Sequence, residues 1–396
     1  MLWVTSAPGT LDVPPGQVIS LQVRSRHDVF TDSDLVKLTS ELSGVTCVWR
    51  LDLSGTRVRG PGLSSLSQLP SLHELDLTPT PVTDDGLARL AGCTNLETLR
   101  VGSDAIHGQG LAHLAALPHL RELYLEDSVT DESLASLVGL TKLELLEFGS
   151  DVVTDAGAAH LAELTGLRSL VLYLSRVRGN GMAFLDRLTS LETLVWYSDA
   201  GGDESLAHVG HLRDLRNLDI ECWSATDAGM AHLSSLRDLE RLSLSAAVVT
   251  DAGLASLREL TKLTSLRIQS RRIHGWGFWS LLGMENLEFL WLANTPIIGQ
   301  SLRIISHFHE LRTLGLGWTQ VTDPGLVWLK DLHELEYLGL SGTRVTDAGL
   351  HYLAAIPSLR QLDVNTDRVT DAGVAALRRA LPQCAVHGGS FDFPSF

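Results

Sequence analysis

The chain has 396 residues, is 44% hydrophobic and 20% charged, and carries 47 Asp and Glu against 31 Lys and Arg, a formal net charge of −16. That composition fits a folded chain and excludes a disordered or collagen-like one. The negative field opposes phosphate backbones and anionic membrane surfaces, so neither nucleic acid nor a membrane is expected as a partner.

Residues 1–17 have no repeat register and are expected to cap the first coil. From Val18 a segment of the form LxxLxL recurs fifteen times, starting at Val18 (repeat 1), Val48 (repeat 2) and Leu72 (repeat 3). Repeats 4–15 start at Leu96, Leu120, Leu143, Leu167, Leu191, Leu215, Leu239, Leu263, Leu287, Leu311, Leu335 and Leu359. From repeat 2 onward the spacing is 24 residues, apart from the 23-residue step between Leu120 and Leu143. The 30-residue gap between Val18 and Val48 predicts a longer first helix.

Repeat 14, Leu335 to Ser358, shows how one unit works. Its first six residues alternate, so Leu338 and Leu340 point inward while Tyr337, Gly339 and Ser341 point outward, which predicts a short strand. Thr346 and Asp347 then offer a helix N-cap with an acid in the first turn, and Leu350, Leu353 and Ile356 follow at helical spacing. One strand and one helix cannot bury their apolar faces alone, so the units must stack. The expected fold is an α/β solenoid, a parallel inner sheet with short helices outside, on the order of 70 Å along its arc. Residues 380–386 are expected to add a last half-repeat, and residues 387–396 form an aromatic tail without register.

The consensus resembles leucine-rich repeat proteins, and specifically the cysteine-containing class found in F-box and AMN1-like proteins. The closest unit, Leu72 to Leu96, reads LHELDLTPTPVTDDGLARLAGCTNL and has Cys93 at the class's second cysteine. The resemblance implies a horseshoe and an interaction role. No F-box is expected before Val18, so a ubiquitin-ligase role does not carry over. The turn after the strand departs from the usual Asn or Cys. It carries Thr56, Thr80, Thr295, Thr319 and Thr343, or Asp104, Asp151, Asp199 and Asp367, expected to form a polar ladder to the neighbouring coil.

Motifs for chemistry dissolve into the repeat. The glycine pairs Gly108 and Gly110, Gly179 and Gly181, and Gly275 and Gly277 fill one slot at the start of the helix and lack the rest of a dinucleotide loop. His307 and His309 are two apart and do not share a helix face. The Thr-Asp pairs are explained as helix caps. The four cysteines, Cys47, Cys93, Cys222 and Cys384, form no CxxC and favour a reducing compartment over a disulfide or zinc framework. No apolar run reaches the roughly 18 residues of a membrane helix, and the first twenty residues lack a secretory signal's basic start. No catalytic residue, cofactor or metal is expected, and the protein is placed in the bacterial cytoplasm.

What the fold leaves free is the outward face of the sheet, at the third, fifth, seventh and eighth positions of each repeat. Most are small and polar, such as Gln361, Asp363 and Asn365. Two sets differ. Glu122, Tyr124, Glu126, Glu147, Val171, Tyr173, Val195, Tyr197, Asp219 and Glu221 make an acidic band with aromatic and branched members. Phe289, Trp291, Trp318 and Tyr337 make a second, aromatic set on three consecutive strands. Clustered exposed rings mark contact surfaces, so both sets are expected to bind a protein or peptide with a basic or mixed surface on the concave face. Trp276 and Trp279 are expected to pack on the outer helix. The alternative is an adaptor whose tail at 387–396 is a docking motif or a processed substrate segment.

Overall fold

The computed structural model describes residues 18–23, 30–103, 105–106, 108–126, 129–198, 201–365 and 367–387. Residues 1–17 and 388–396, with Asp104 and Asp199, lie outside the described residues, so the expected cap and nearly all of the tail do too. The chain divides into two compact units, Met1–Leu191 and Glu192–Phe396.

In the first unit seven strands pair in parallel and in chain order, from Ile19–Gln22 and Val48–Asp52 to Leu145–Ser150 and Ser169–Leu174. The first helix, Asp32–Glu41, has ten residues, as the wide gap before repeat 2 requires. In the second unit nine strands run from Thr193–Ser198 to Gln361–Asp363 and a final Ala385–His387, again parallel and in order. Short helical turns return the chain between strands.

Repeat 14 folds as its pattern demands: strand Tyr337–Gly339, then helix Asp347–Leu353. Leu335, Leu338, Leu340, Val345, Leu350, Leu353 and Ile356 are all buried, so the strand's inner side and the helix's inner side share one core. Repetition of that arrangement makes each unit a parallel-sheet α/β solenoid.

The Thr-Asp pairs do more than cap helices. Thr250 Oγ1 accepts the Ala252 N–H of its own helix at 3.2 Å, as an N-cap should. Its backbone N–H also donates to Asp227 Oδ1 at 2.8 Å, and its hydroxyl donates to Asp227 Oδ2 at 2.7 Å. Asp227 belongs to the previous repeat's cap. The same two bonds join Asp131 to Thr154, Asp203 to Thr226, Asp323 to Thr346 and Asp347 to Thr370, all between 2.6 and 2.8 Å. Each carboxylate thus satisfies an orphan donor of the next helix, bringing negative charge to its N-terminus.

This link explains the glycine of the TDxG motif. A Cβ at Gly229, Gly253, Gly349 or Gly373 would collide with the carboxylate of the preceding Asp; at Gly253 it would come within 2.5 Å of Asp227 Oδ1. Where glycine replaces the cap acid, the carboxylate collects backbone donors instead. Asp251 accepts the N–H groups of His274, Gly275 and Gly277 at 2.9 to 3.0 Å, and Gly275 takes a φ of 105°.

The turn threonines correct an expectation. Thr80, Thr319 and Thr343 are buried but donate to the carbonyls of Leu77, Leu316 and Leu340 in their own repeats. Among the threonines Thr295 reaches a neighbouring coil, at the Ile268 carbonyl, and of the turn aspartates Asp151 does so, accepting from the Ser175 hydroxyl of the next repeat. Three residues of sequence bring the own-strand carbonyl nearer than any neighbour. The ladder between repeats is carried by the cap aspartates.

Two outcomes follow from this geometry. Asp227→Ala and Gly253→Ala should each destabilise the fold by about 2 kcal/mol. Because both break one link, the double variant in urea titration should cost less than the two together by about 1 kcal/mol or more; additivity would contradict the link. Hydrogen bonds from Thr370 hold the Asp347 carboxyl below the usual carboxylate range. A lowered native value stabilises the fold above the unfolded value, about pH 4, and that contribution is lost as pH falls through the native value. Asp347→Asn should therefore flatten the drop in thermal midpoint below about pH 4, and an unchanged drop would contradict the assignment.

Candidate functional site

The strand alternation places the third and fifth residues of each repeat on the open face of the sheet, where parallel register sets them side by side. In the first unit Tyr124, Glu147 and Val171 are register partners on adjacent strands. The Arg100 guanidinium carbon lies 3.5 Å from the Tyr124 ring centroid, a cation–π contact. The Tyr124 hydroxyl donates to Glu122 Oε2 at 3.3 Å, and Thr98 donates to the same oxygen at 3.2 Å. Burial, with help from Glu122 and Glu147 against Arg100, pushes the Tyr124 phenol above its usual range. Glu126 and Tyr173 are exposed, and Glu122, Tyr124, Glu147 and Val171 are half-buried.

In the second unit Val195 pairs with Asp219 and Tyr197 with Glu221, all four half-buried. The Tyr197 hydroxyl donates to Asp219 Oδ2 at 2.7 Å. The single band of the sequence reading therefore divides at Leu191, and the structure brings together Glu122, Tyr124, Glu147 and Val171 in one group and Val195, Tyr197, Asp219 and Glu221 in another.

The second aromatic set is more closely built. Phe289 and Trp291 stack with centroids 5.8 Å apart, and Trp291 and Tyr337 stack at 6.0 Å. Glycine makes room: Gly315, the register partner of Trp291, would drive any Cβ into the indole. The flanking rings and this glycine floor leave Trp291 only 9% exposed, which corrects the expectation that it stands in solvent. Trp318 lies in the turn after strand Thr313–Gly315, not on a strand, and is 68% exposed.

Two further expectations fail. Asp363, read as an outward polar residue, is 2% exposed; its Oδ2 accepts from the Tyr337 hydroxyl at 2.5 Å. The large ring one strand away reaches across Gly339 to cover it, and the pairing of Tyr at the third position with glycine at the fifth was the available signal. Trp276 and Trp279, expected to pack, are 51% and 53% exposed, because Phe278 and Leu281 take the inward face of helix Trp276–Leu281. His307 and His309 sit exposed at the end of repeat 12's helical turn, His307 with its Nδ1 3.0 Å from the Arg303 carbonyl oxygen.

Burial and the Asp363 carboxylate raise the Tyr337 phenol well above the usual tyrosine value. Tyr337→Phe should cost about 1–3 kcal/mol by removing the hydroxyl donor from a buried carboxylate. It should also delete one late-ionising step from a spectrophotometric titration of the five tyrosines. An unaltered titration curve would contradict the bond.

A family model described as "Leucine-rich repeat region" matches residues 85–328, and one described as "Leucine Rich repeat" matches residues 68–91. No curated protein matches. Among solved structures, an internalin from Listeria monocytogenes shares 20% identity at a TM-score of 0.57, covering 89% of each chain. A leucine-rich repeat protein of Leptospira interrogans shares 15% at 0.54, covering 94% of this chain and 89% of its own. A plant peptide hormone receptor solved in complex shares 15% at 0.50, covering 88% of this chain and 58% of its own. With a family match over more than half of its length and the strand-and-turn repeat in both units, the chain belongs to the leucine-rich repeat family.

Proposed function

We propose that this protein is a non-enzymatic scaffold that binds a polypeptide on the open face of its sheet. Leucine-rich repeat solenoids commonly mediate protein–protein interaction, peptide ligands included, through that extended face. The contact residues are Trp318, Phe289 and Tyr337, supported from below by the covered Trp291, with Val195, Tyr197, Asp219 and Glu221, in the second unit. In the first they are Glu122, Tyr124, Glu126, Glu147, Val171 and Tyr173. Their acidic members favour a partner with a basic or mixed surface.

The observation that carries this reading is Trp318. At the eighth position of repeats 2, 12, 13 and 14 the chain turns through a left-handed conformation, φ 70° at Gly55, 62° at Asn294 and 73° at Gly342, with Trp318 at 59°. In the three successive repeats 12 to 14 this turn recurs, and the amides of Asn294, Trp318 and Gly342 donate to the next repeat at 2.8 to 3.0 Å. Glycine and asparagine meet the demand easily; a tryptophan costs about 1–2 kcal/mol of strain. Its ring lies on Gly342, where a Cβ would meet it at 2.5 Å, and leaves its other face to solvent. An exposed ring kept at a cost to the fold is a contact residue.

A cytoplasmic, bacterial setting and membership of the cysteine-containing class complete the proposal. The four cysteines are unpaired, and burial pushes the Cys93 and Cys222 thiols up to about 12, which keeps them protonated and unreactive at neutral pH. Cys93 and the TDxG caps support the class.

Trp318→Gly separates binding from folding. It should stabilise the protein by about 1 kcal/mol while weakening capture of a co-purifying partner by about tenfold. Deleting residues 388–396 should leave capture intact. Full capture by Trp318→Gly, or loss upon the deletion, would overturn the assignment of the sheet face.

A further inference from the structure

On the helix side of repeats 11 and 12 two acid-free stretches follow one another in successive repeats. Residues 270–283 and 295–307 contain no Asp or Glu, yet they include Arg271, Arg272, Arg303, His274 and His307. Both repeats have lost the cap acid, to Gly275 and Gly299, as repeats 2, 4 and 7 have to Gly60, Gly108 and Gly179; what sets this pair apart is that the two are consecutive and carry exposed tryptophans. All five basic side chains are exposed. No ion pair among the described residues involves Arg271, Arg272 or Arg303, whereas Arg216 and Arg312 are each paired with a glutamate.

In the helical turn that follows Arg271 and Arg272 stand Trp276 and Trp279, three residues apart and each about half exposed, opposite the buried Phe278. Contacts hold their surroundings in place. The Trp279 ring is 5.9 Å from that of His307, and the Arg303 guanidinium carbon is 5.3 Å from the Trp328 centroid in repeat 13. Tryptophan and arginine held ready in this way are the residue types that dominate binding energy.

We propose that this face is a second docking site, distinct from the open sheet face, that takes a short acidic polypeptide segment. Carboxylates of the segment meet the three arginines, whose forked donors match that geometry, and its apolar side chains rest on the two indoles. The width of the strip favours a narrow chain over an anionic lipid surface. Repeat 10 borders it with Asp251 and Glu259, and repeat 13 with Asp323 and Asp331. A flat anionic bilayer touching the arginines would also meet those carboxylates; an extended peptide need not.

The test uses the full chain and a fluorescein-labelled glutamate–tyrosine copolymer read by anisotropy. Two paired variants carry it, Trp276→Ala with Trp279→Ala and Arg271→Glu with Arg272→Glu, with phosphatidylserine vesicles as a parallel arm. Each pair is expected to weaken copolymer binding by about tenfold or more with circular dichroism unchanged. Trp318→Gly should bind the copolymer as the wild type does, which separates this site from the sheet face. The charge-reversed pair keeps the test decisive should the tryptophan pair fail to fold. Copolymer binding that neither pair alters, its absence in the wild type, or binding to the vesicles in its place would each overturn the proposal.

Discussion

One contact recurs through both units and orders the rest: a cap aspartate that reaches forward to the next repeat's threonine. Stacked coils bury leucines against leucines, and that attraction alone has no direction along the helix side. The carboxylate supplies one. It takes an N–H and a hydroxyl from Thr154, Thr226, Thr250, Thr346 or Thr370, so the start of each of these helices is set by the one before it. Threonine, aspartate and glycine in TDxG are then one device: the donor, the acceptor, and the gap through which the previous acceptor passes.

With the helix side tied in this way, the open sheet face is not needed to align one repeat's helix on the next, and its positions can take large rings. Repeats 12 to 15 use that freedom. Glycines at 315, 339 and 342 form a floor on which Trp291, Tyr337 and Trp318 lie, and the last of these is held in a conformation that glycine would adopt more cheaply. Repeats 11 and 12 have lost the cap acids, as repeats 2, 4 and 7 have, and here the helical turns also expose two indoles beside arginines. In both places the departure from the repeat's own rule is what marks the surface.

The period-two alternation that buries Leu338 and Leu340, the Thr346 cap and the long first helix were all legible in the sequence, because each depends on neighbours within a few residues. The forward bond from each cap aspartate was not, since its partner lies 23 residues on and the cap role already accounted for the pair. The sheet face was read correctly as a set of positions but not as a set of exposures. Asp363 and Trp291 are covered by rings from neighbouring residues, and only the glycines opposite hinted at it. Trp276 and Trp279 mislead in the other direction, since a large ring on a short helix usually packs, and here Phe278 has that place.

The ladder is tested most directly by amide hydrogen exchange at its threonines. Thr154, Thr226 and Thr370 are exposed residues whose backbone N–H groups donate to a carboxylate one repeat away. Strong protection at neutral pH, lost at Thr226 alone among the three in Asp203→Ala, is the expected result. Exchange at the rate of free surface amides in the wild type would contradict the link between repeats.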